Sequence, residues 1–131
     1  MEKTIPFWEG VFRQDDEGGS LLGNKCSACG RIYFPKAQFC FDCLAQDLEE
    51  VVLSRRGKLY SYTIGRLPAA HFEPPYALGL IDLPEGLRVF APLQFSGEES
   101  YRIGMAMEVT IEALWKEGDQ QVIGYKFRPV V

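Results

Sequence analysis

Cys26-Ser27-Ala28-Cys29 and Cys40-Phe41-Asp42-Cys43 hold the only four cysteines of the chain, as two C-x-x-C pairs ten residues apart. In each pair two thiolates flank a tight turn, so both sulfurs can reach one ion. Two such pairs supply the four soft ligands that tetrahedral zinc prefers. Gly30 follows the first pair, where the turn needs a residue tolerant of positive φ. Two disulfides or a redox dithiol are the competing readings. The spacing favours zinc, and a redox C-x-x-C normally occurs once, near a βαβ pattern that this sequence lacks.

Around the cysteines the sequence reads as a hairpin. Leu21 and Leu22 begin an incoming strand, Arg31-Ile32-Tyr33-Phe34 forms the outgoing one, and Pro35 ends it. A piece of about 25 residues cannot bury enough apolar area to offset its ordering entropy. Zinc–thiolate bonding supplies the difference, which makes the metal structural.

Beyond a short acidic connector, Leu44 to Glu50, the texture changes to strands and turns. Val51 to Ile64 reads as one long strand bent at Gly57, with Leu59, Ser61 and Thr63 on one face and Tyr60, Tyr62 and Ile64 on the other. Gly65 to Pro75 is a loop with three prolines. Tyr76 to Leu83 and Leu87 to Phe95 flank the turn Pro84-Glu85-Gly86. Met107 to Leu114 alternates apolar and polar residues as a half-buried strand does, and Gln121 to Phe127 follows the turn Glu117-Gly118-Asp119. Five strands with short turns and a glycine bend fit a small Greek-key barrel of the OB type.

Upstream, Ile5, Trp8 and Phe12 recur at helical spacing, with Thr4 as a cap and Pro6 in the first turn. A short N-terminal helix is expected. Its aromatics either pack on the chain itself or dock on a partner, since so short a helix is not stable alone. Asp15-Asp16-Glu17-Gly18-Gly19 reads as an exposed, solvated loop. The expected fold is therefore mainly β: an N-terminal helix and loop (residues 1–20), a rubredoxin-like zinc ribbon (21–48) and a five-stranded OB-fold barrel (49–131).

Composition narrows the function. The chain has 131 residues, a formal net charge of −4 and one histidine, His71. An acidic protein lacks the positive field that general nucleic-acid binding requires. An OB-type adaptor for nucleic acid or protein remains the alternative, because Tyr60 and Tyr62 could stack bases. The start, Met1-Glu2-Lys3-Thr4, leads into no apolar segment, no run is long enough to span a bilayer, and a cytoplasmic location is expected. No catalytic residues are assigned. G-x-S-x-G, P-loop and G-x-G-x-x-G motifs are absent, and zinc leaves no free thiol as nucleophile. Asp82 and Glu85 read as turn chemistry.

The whole pattern resembles the zinc-ribbon plus OB-fold acyl-CoA-associated proteins, a family long catalogued as a domain of unknown function. The resemblance covers nearly the entire chain. It is carried by Phe7-Trp8-Glu9-Gly10, the C-x2-C-x10-C-x2-C ribbon with Phe34-Pro35, Gly57-Lys58-Leu59-Tyr60-Ser61-Tyr62-Thr63, Pro74-Pro75-Tyr76, and Arg102-Ile103-Gly104-Met105-Ala106-Met107-Glu108-Val109. Some members of the family have lost their cysteines; here all four are kept. The resemblance implies a small non-catalytic subunit of a hetero-oligomer with a thiolase-fold enzyme, where it completes or bridges a coenzyme A or acyl-CoA site. Family members act in acetoacetyl-CoA metabolism, lipid transfer, steroid side-chain breakdown and anaerobic aromatic degradation.

Coenzyme A needs cations for its phosphates, a flat shelf for its adenine and an apolar slot for its pantetheine. Arg66, His71, Phe72 and Tyr76, in and beside the proline-bearing loop, are the expected ligand residues. Arg55, Arg56 and Lys58 around Gly57 offer further charge. For each of these the bland reading is a solvated cation, an exposed histidine or a core ring. Phe7, Trp8 and Phe12 are the expected partner contacts.

Overall fold

A computed structural model describes residues 3–14, 18–69 and 71–130. The acidic run Asp15-Asp16-Glu17 lies outside the described residues. Among the described residues ten strands follow one another: β1 (Lys3–Pro6), β2 (Phe12–Arg13), β3 (Ser20–Cys26), β4 (Ile32–Tyr33), β5 (Leu48–Val52), β6 (Arg56–Gly65), β7 (Tyr76–Asp82), β8 (Arg88–Leu93), β9 (Ala106–Glu117) and β10 (Gln120–Pro129). The only helical turn among the described residues is a 3-10 turn at Glu98–Ser100.

Strands β6, β7, β8, β10 and β9 close a five-stranded barrel, with β9 pairing both β6 and β10. The turn chemistry seen in the sequence is realised. Leu83 N donates to Leu87 O at 2.8 Å across the β7–β8 turn, and Gly86 sits there at φ +87°. The long β10 pairs β9 along its whole length, from Gln120↔Glu117 to Pro129↔Met107. It also pairs β1 in parallel, from Lys3↔Gln120 to Pro6↔Ile123, and touches β8 at Phe127↔Leu93.

The N-terminal helix is therefore corrected to a strand. Ile5, Trp8 and Phe12 have helical spacing by coincidence: β1 is held by an edge of β10 more than 110 residues away in sequence, a pairing that local periodicity cannot register. A second correction concerns β6. Its register with β7 slips between Leu59 and Ser61, so the inward face changes parity there. Leu59 is fully buried, Tyr62 and Ile64 pack on the core, and Tyr60 is exposed.

A third correction falls at the connector. Val51 and Val52, expected at the head of the first barrel strand, instead join connector residues 48–50 in β5. It pairs with β3 in the ribbon sheet, from Leu22↔Val52 to Cys26↔Leu48. The smaller sheet is thus β2, β3, β4 and β5.

Ribbon and barrel share one core. Leu21 of β3 and Leu53 belong to the same buried cluster as Leu59, Ile81, Met107, Val109 and Phe127 of the barrel. Burying each such side chain stabilises the fold by roughly 1.5–3 kcal/mol. Gly19 permits this approach, since a Cβ there would collide with Ile111 Cγ1.

Candidate metal centre and ligand groove

The four cysteines meet at one end of the ribbon. Their Sγ atoms all lie within 4.8 Å of one another, with Cys26–Cys43 at 3.5 Å and Cys29–Cys40 at 3.4 Å. A tetrahedral site with metal–sulfur bonds of ~2.3 Å has sulfur–sulfur edges of ~3.8 Å. The cluster thus has the size and donor set of a four-thiolate zinc site. No sulfur pair is at disulfide bonding distance.

The two knuckles repeat one backbone pattern. Gly30 N donates to Cys26 O at 2.9 Å, and Leu44 N to Cys40 O at 2.8 Å. The residue after each second cysteine is left-handed: Gly30 at φ +82° and Leu44 at φ +64°. Beneath the cluster, the Asn24 side chain bridges the loop. Its Nδ2 donates to Ala37 O at 2.7 Å, and its Oδ1 accepts from Ala37 N at 3.1 Å.

Electrostatics divide the thiols. Hydrogen bonding from the Tyr33 hydroxyl, then from the Cys43 and Asp42 amides, lowers the Cys40 thiol to about 6. The Arg31 amide favours a Cys29 thiolate, but neighbouring Cys40, burial and the other two sulfurs outweigh it and push Cys29 up to about 12. Four thiolates cannot coexist in that space without a cation to neutralise them, which is what a metal supplies.

The expected ligand residues are only partly brought together. His71 stacks on Trp115 with ring centres 4.0 Å apart and planes 7° apart, and Phe72 meets Trp115 edge-on at 6.4 Å. These rings line an open groove of about 620 Å³ with Pro68, Pro74 and Lys116. Tyr76 stands behind it, tilted against Phe72 at 5.6 Å, and its hydroxyl donates to Leu67 O at 3.2 Å. Arg66 does not line the groove. It is paired with Glu98 of the 3-10 turn at 2.5 Å. Trp115 and Lys116 were missed in the sequence. The only signal for them was an aromatic at the end of the alternating β9 pattern, next to a turn.

The expected partner aromatics separate. Phe7 stacks with Phe12 at 6.4 Å and meets Tyr125 edge-on at 5.4 Å, while Tyr125 also meets Phe34 of the ribbon at 5.9 Å. Phe12 thus packs on the core, while Phe7 packs against it and stays 36% exposed. Trp8 remains 52% exposed.

Comparison with known proteins follows this division of the chain. The model of the ChsH2 rubredoxin-like zinc ribbon domain matches residues 19–49, and that of the ChsH2 C-terminal OB-fold domain matches residues 50–112. The chain belongs to the zinc-ribbon plus OB-fold ChsH2/DUF35 family. Among its relatives is the benzoylsuccinyl-CoA thiolase subunit BbsA of Thauera aromatica, 39% identical over 88% of this chain and 81% of the relative. A DUF35 domain-containing scaffold protein of Methanocaldococcus jannaschii is 35% identical over 91% of this chain and 88% of its own length. A solved structure described as an Ltp2-ChsH2(DUF35) aldolase superposes with a TM-score of 0.74 at 27% identity, covering 86% of each chain. No helix among the described residues is long and apolar enough to cross a membrane.

Proposed function

We propose that this DUF35 chain is a non-catalytic zinc-binding subunit of a thiolase-type acyl-CoA enzyme, and that it helps to form or bridge the coenzyme A or acyl-CoA site. The observation that carries this reading is the 39% identity to a thiolase subunit over most of both chains. The chemistry of the chain agrees. Its four thiols converge on one another, which suits a structural metal and leaves none as an acyl-accepting nucleophile. Zinc held by Cys26, Cys29, Cys40 and Cys43 fixes the ribbon on the barrel and takes no part in a reaction step. Thiolates of this kind suit a reducing compartment such as the cytoplasm.

The groove of His71, Phe72 and Trp115 supports a coenzyme A contact. Its rings offer a flat edge and an apolar wall, and Tyr76 backs Phe72. Arg66 joins this site only if it exchanges Glu98 for a phosphate. Trp8, exposed beside the Phe7–Phe12–Tyr125 cluster, is the side chain best placed to anchor a partner. Phe7 and Phe12 then support that anchor from below.

The test is co-expression with a thiolase-fold subunit encoded beside this chain. Co-purification as a hetero-oligomer, with acyl-CoA turnover that needs both chains, is the expected result. Turnover by this chain alone, lost in one of its own point mutants, overturns the reading.

A further inference from the structure

The barrel carries a second groove, which shares no residue with the His71 groove and does not depend on the coenzyme A reading. It has a volume of about 490 Å³ and is lined by Arg56, Gly57, Lys58, Asp82, Leu83, Pro84 and Ala106. A further open space of about 500 Å³, lined by Leu87, Gly86 and Arg88, continues from Asp82 and Leu83 around the β7–β8 turn. Both volumes fall in the range of small-molecule sites, roughly 300–1,000 Å³.

The origin of the groove lies in the register. Ala106, Lys58, Asp82 and Arg88 form one row across β9, β6, β7 and β8, through the pairs Lys58↔Ala106, Lys58↔Asp82 and Asp82↔Arg88. Directly opposed residues share a face of the sheet. The row is therefore small, cationic, anionic and cationic in turn. Gly57, beside Lys58, cannot be larger, because a Cβ there would lie 2.5 Å from Asp82 O. The small side chain of Ala106 leaves room on this face, and Leu83 with Pro84 gives the slot an apolar wall.

The charges around the slot are unevenly satisfied. Arg88 grips Asp82 with two hydrogen bonds, 2.7 and 3.1 Å, and its guanidinium lies 3.4 Å from the centre of the Tyr60 ring. Arg56 pairs with Glu108 at 3.1 Å, and Arg128 pairs with the same carboxylate at 3.2 Å. Asp82 and Glu108 are thus taken by arginines. Lys58, next to Asp82 in the row, has no ion-pair partner among the described residues. An ammonium without an ion-pair partner among the described residues, on a residue that lines a largely apolar slot, offers a place for an anion attached to an apolar body.

We propose that this groove binds an anionic amphiphile: a short alkyl or acyl chain lying on Leu83, Pro84 and Ala106, with a terminal carboxylate or phosphate held by Lys58. The experiment is an amide NMR titration of the full chain with octanoate, octyl phosphate, octyl glucoside and octyltrimethylammonium. The two anions are expected to shift the amides of Gly57, Leu83, Gly86 and Ala106, and the tighter of them names the head group. The neutral glucoside is expected to bind roughly fivefold or more weakly, and the cation not at all. Lys58→Gln should reduce anion affinity to the level of the glucoside. Ala106→Phe should fill the slot and abolish binding while the remaining amides keep their dispersion. Should that variant unfold, Lys58→Gln decides. The proposal is overturned if neither anion shifts these amides, if neutral or cationic probes bind as well as the anions, or if Lys58→Gln leaves anion affinity unchanged.

Discussion

The Tyr33 hydroxyl lies 3.3 Å from Cys40 Sγ and accepts the Phe41 amide hydrogen at 2.9 Å. One phenol thus donates toward a sulfur of the candidate metal site and fixes the turn that carries it. Groups of this kind set ligand orientation and basicity. Tyr33→Phe removes both bonds and keeps the ring that meets Phe41 edge-on at 5.5 Å. Zinc affinity should fall by roughly ten- to a hundredfold, as measured by competition with a chromophoric chelator, with little change in barrel stability. Unchanged affinity would mean that the phenol only supports the turn.

Zinc content should be about one ion per chain, and its retention should depend on pH with a definite sign. The metal competes with protons for each sulfur. At neutral pH it must displace protons from Cys29, raised to about 12, and from Cys43, also raised, while Cys40 is already thiolate at about 6. As pH falls through about 6, Cys40 adds a further proton to displace, so apparent affinity should fall more steeply there. Chelator at pH 5 should strip the metal readily. Cys40→Ser should give the same unfolded ribbon at neutral pH, with lower soluble yield. A folded ribbon without metal, judged by amide dispersion of residues 20–52, would contradict a structural role.

Phe7 and Gly124 fit each other closely. A Cβ on Gly124 would lie 2.5 Å from Phe7 Cδ1 and 2.6 Å from Leu114 Cδ1. The Phe7 ring is held on two sides by Phe12 and Tyr125 but is 36% exposed, so it can relieve part of the clash by shifting toward solvent. Gly124→Ala should cost about 1–3 kcal/mol of unfolding free energy. Much of that loss should be absent when it is introduced into Phe7→Ala, because the clash is then gone. Additive losses in denaturant titrations would show that the clash is relieved elsewhere.

The ribbon was legible because four cysteines at fixed spacing leave few geometries. Strands β7 to β10 were legible because their alternation and turn residues are local. The N-terminal segment was not, because Ile5 takes its conformation from pairing with Val122. The face change in β6 was hidden because the slip at Tyr60 leaves the residue alternation unbroken in sequence. In the candidate ligand site, His71 and Phe72 were legible as loop residues between prolines. Trp115 was not, because its stacking on His71 joins a strand end to a loop more than 40 residues away. Arg66 offers the charge a phosphate needs, and the sequence carries no sign that Glu98 engages it.

Trp8 and Phe72 separate the two halves of the proposed function. Trp8 is 52% exposed at the edge of the aromatic cluster, whereas Phe72 lies in the groove between Tyr76 and Trp115. If Trp8 is an interface anchor, Trp8→Ala should loosen the complex with the thiolase-fold subunit by roughly 2 kcal/mol or more and leave this chain's own stability nearly unchanged. Phe72→Ala should do the reverse, leaving assembly intact and raising the KM for acyl-CoA. Trp115→Ala should follow Phe72→Ala, because it removes the platform on which His71 stacks. Sedimentation velocity and steady-state kinetics on the same preparations distinguish these outcomes. If Trp8→Ala and Phe72→Ala both assemble and turn over as the parent complex does, the groove is only a connector and coenzyme A is bound without it.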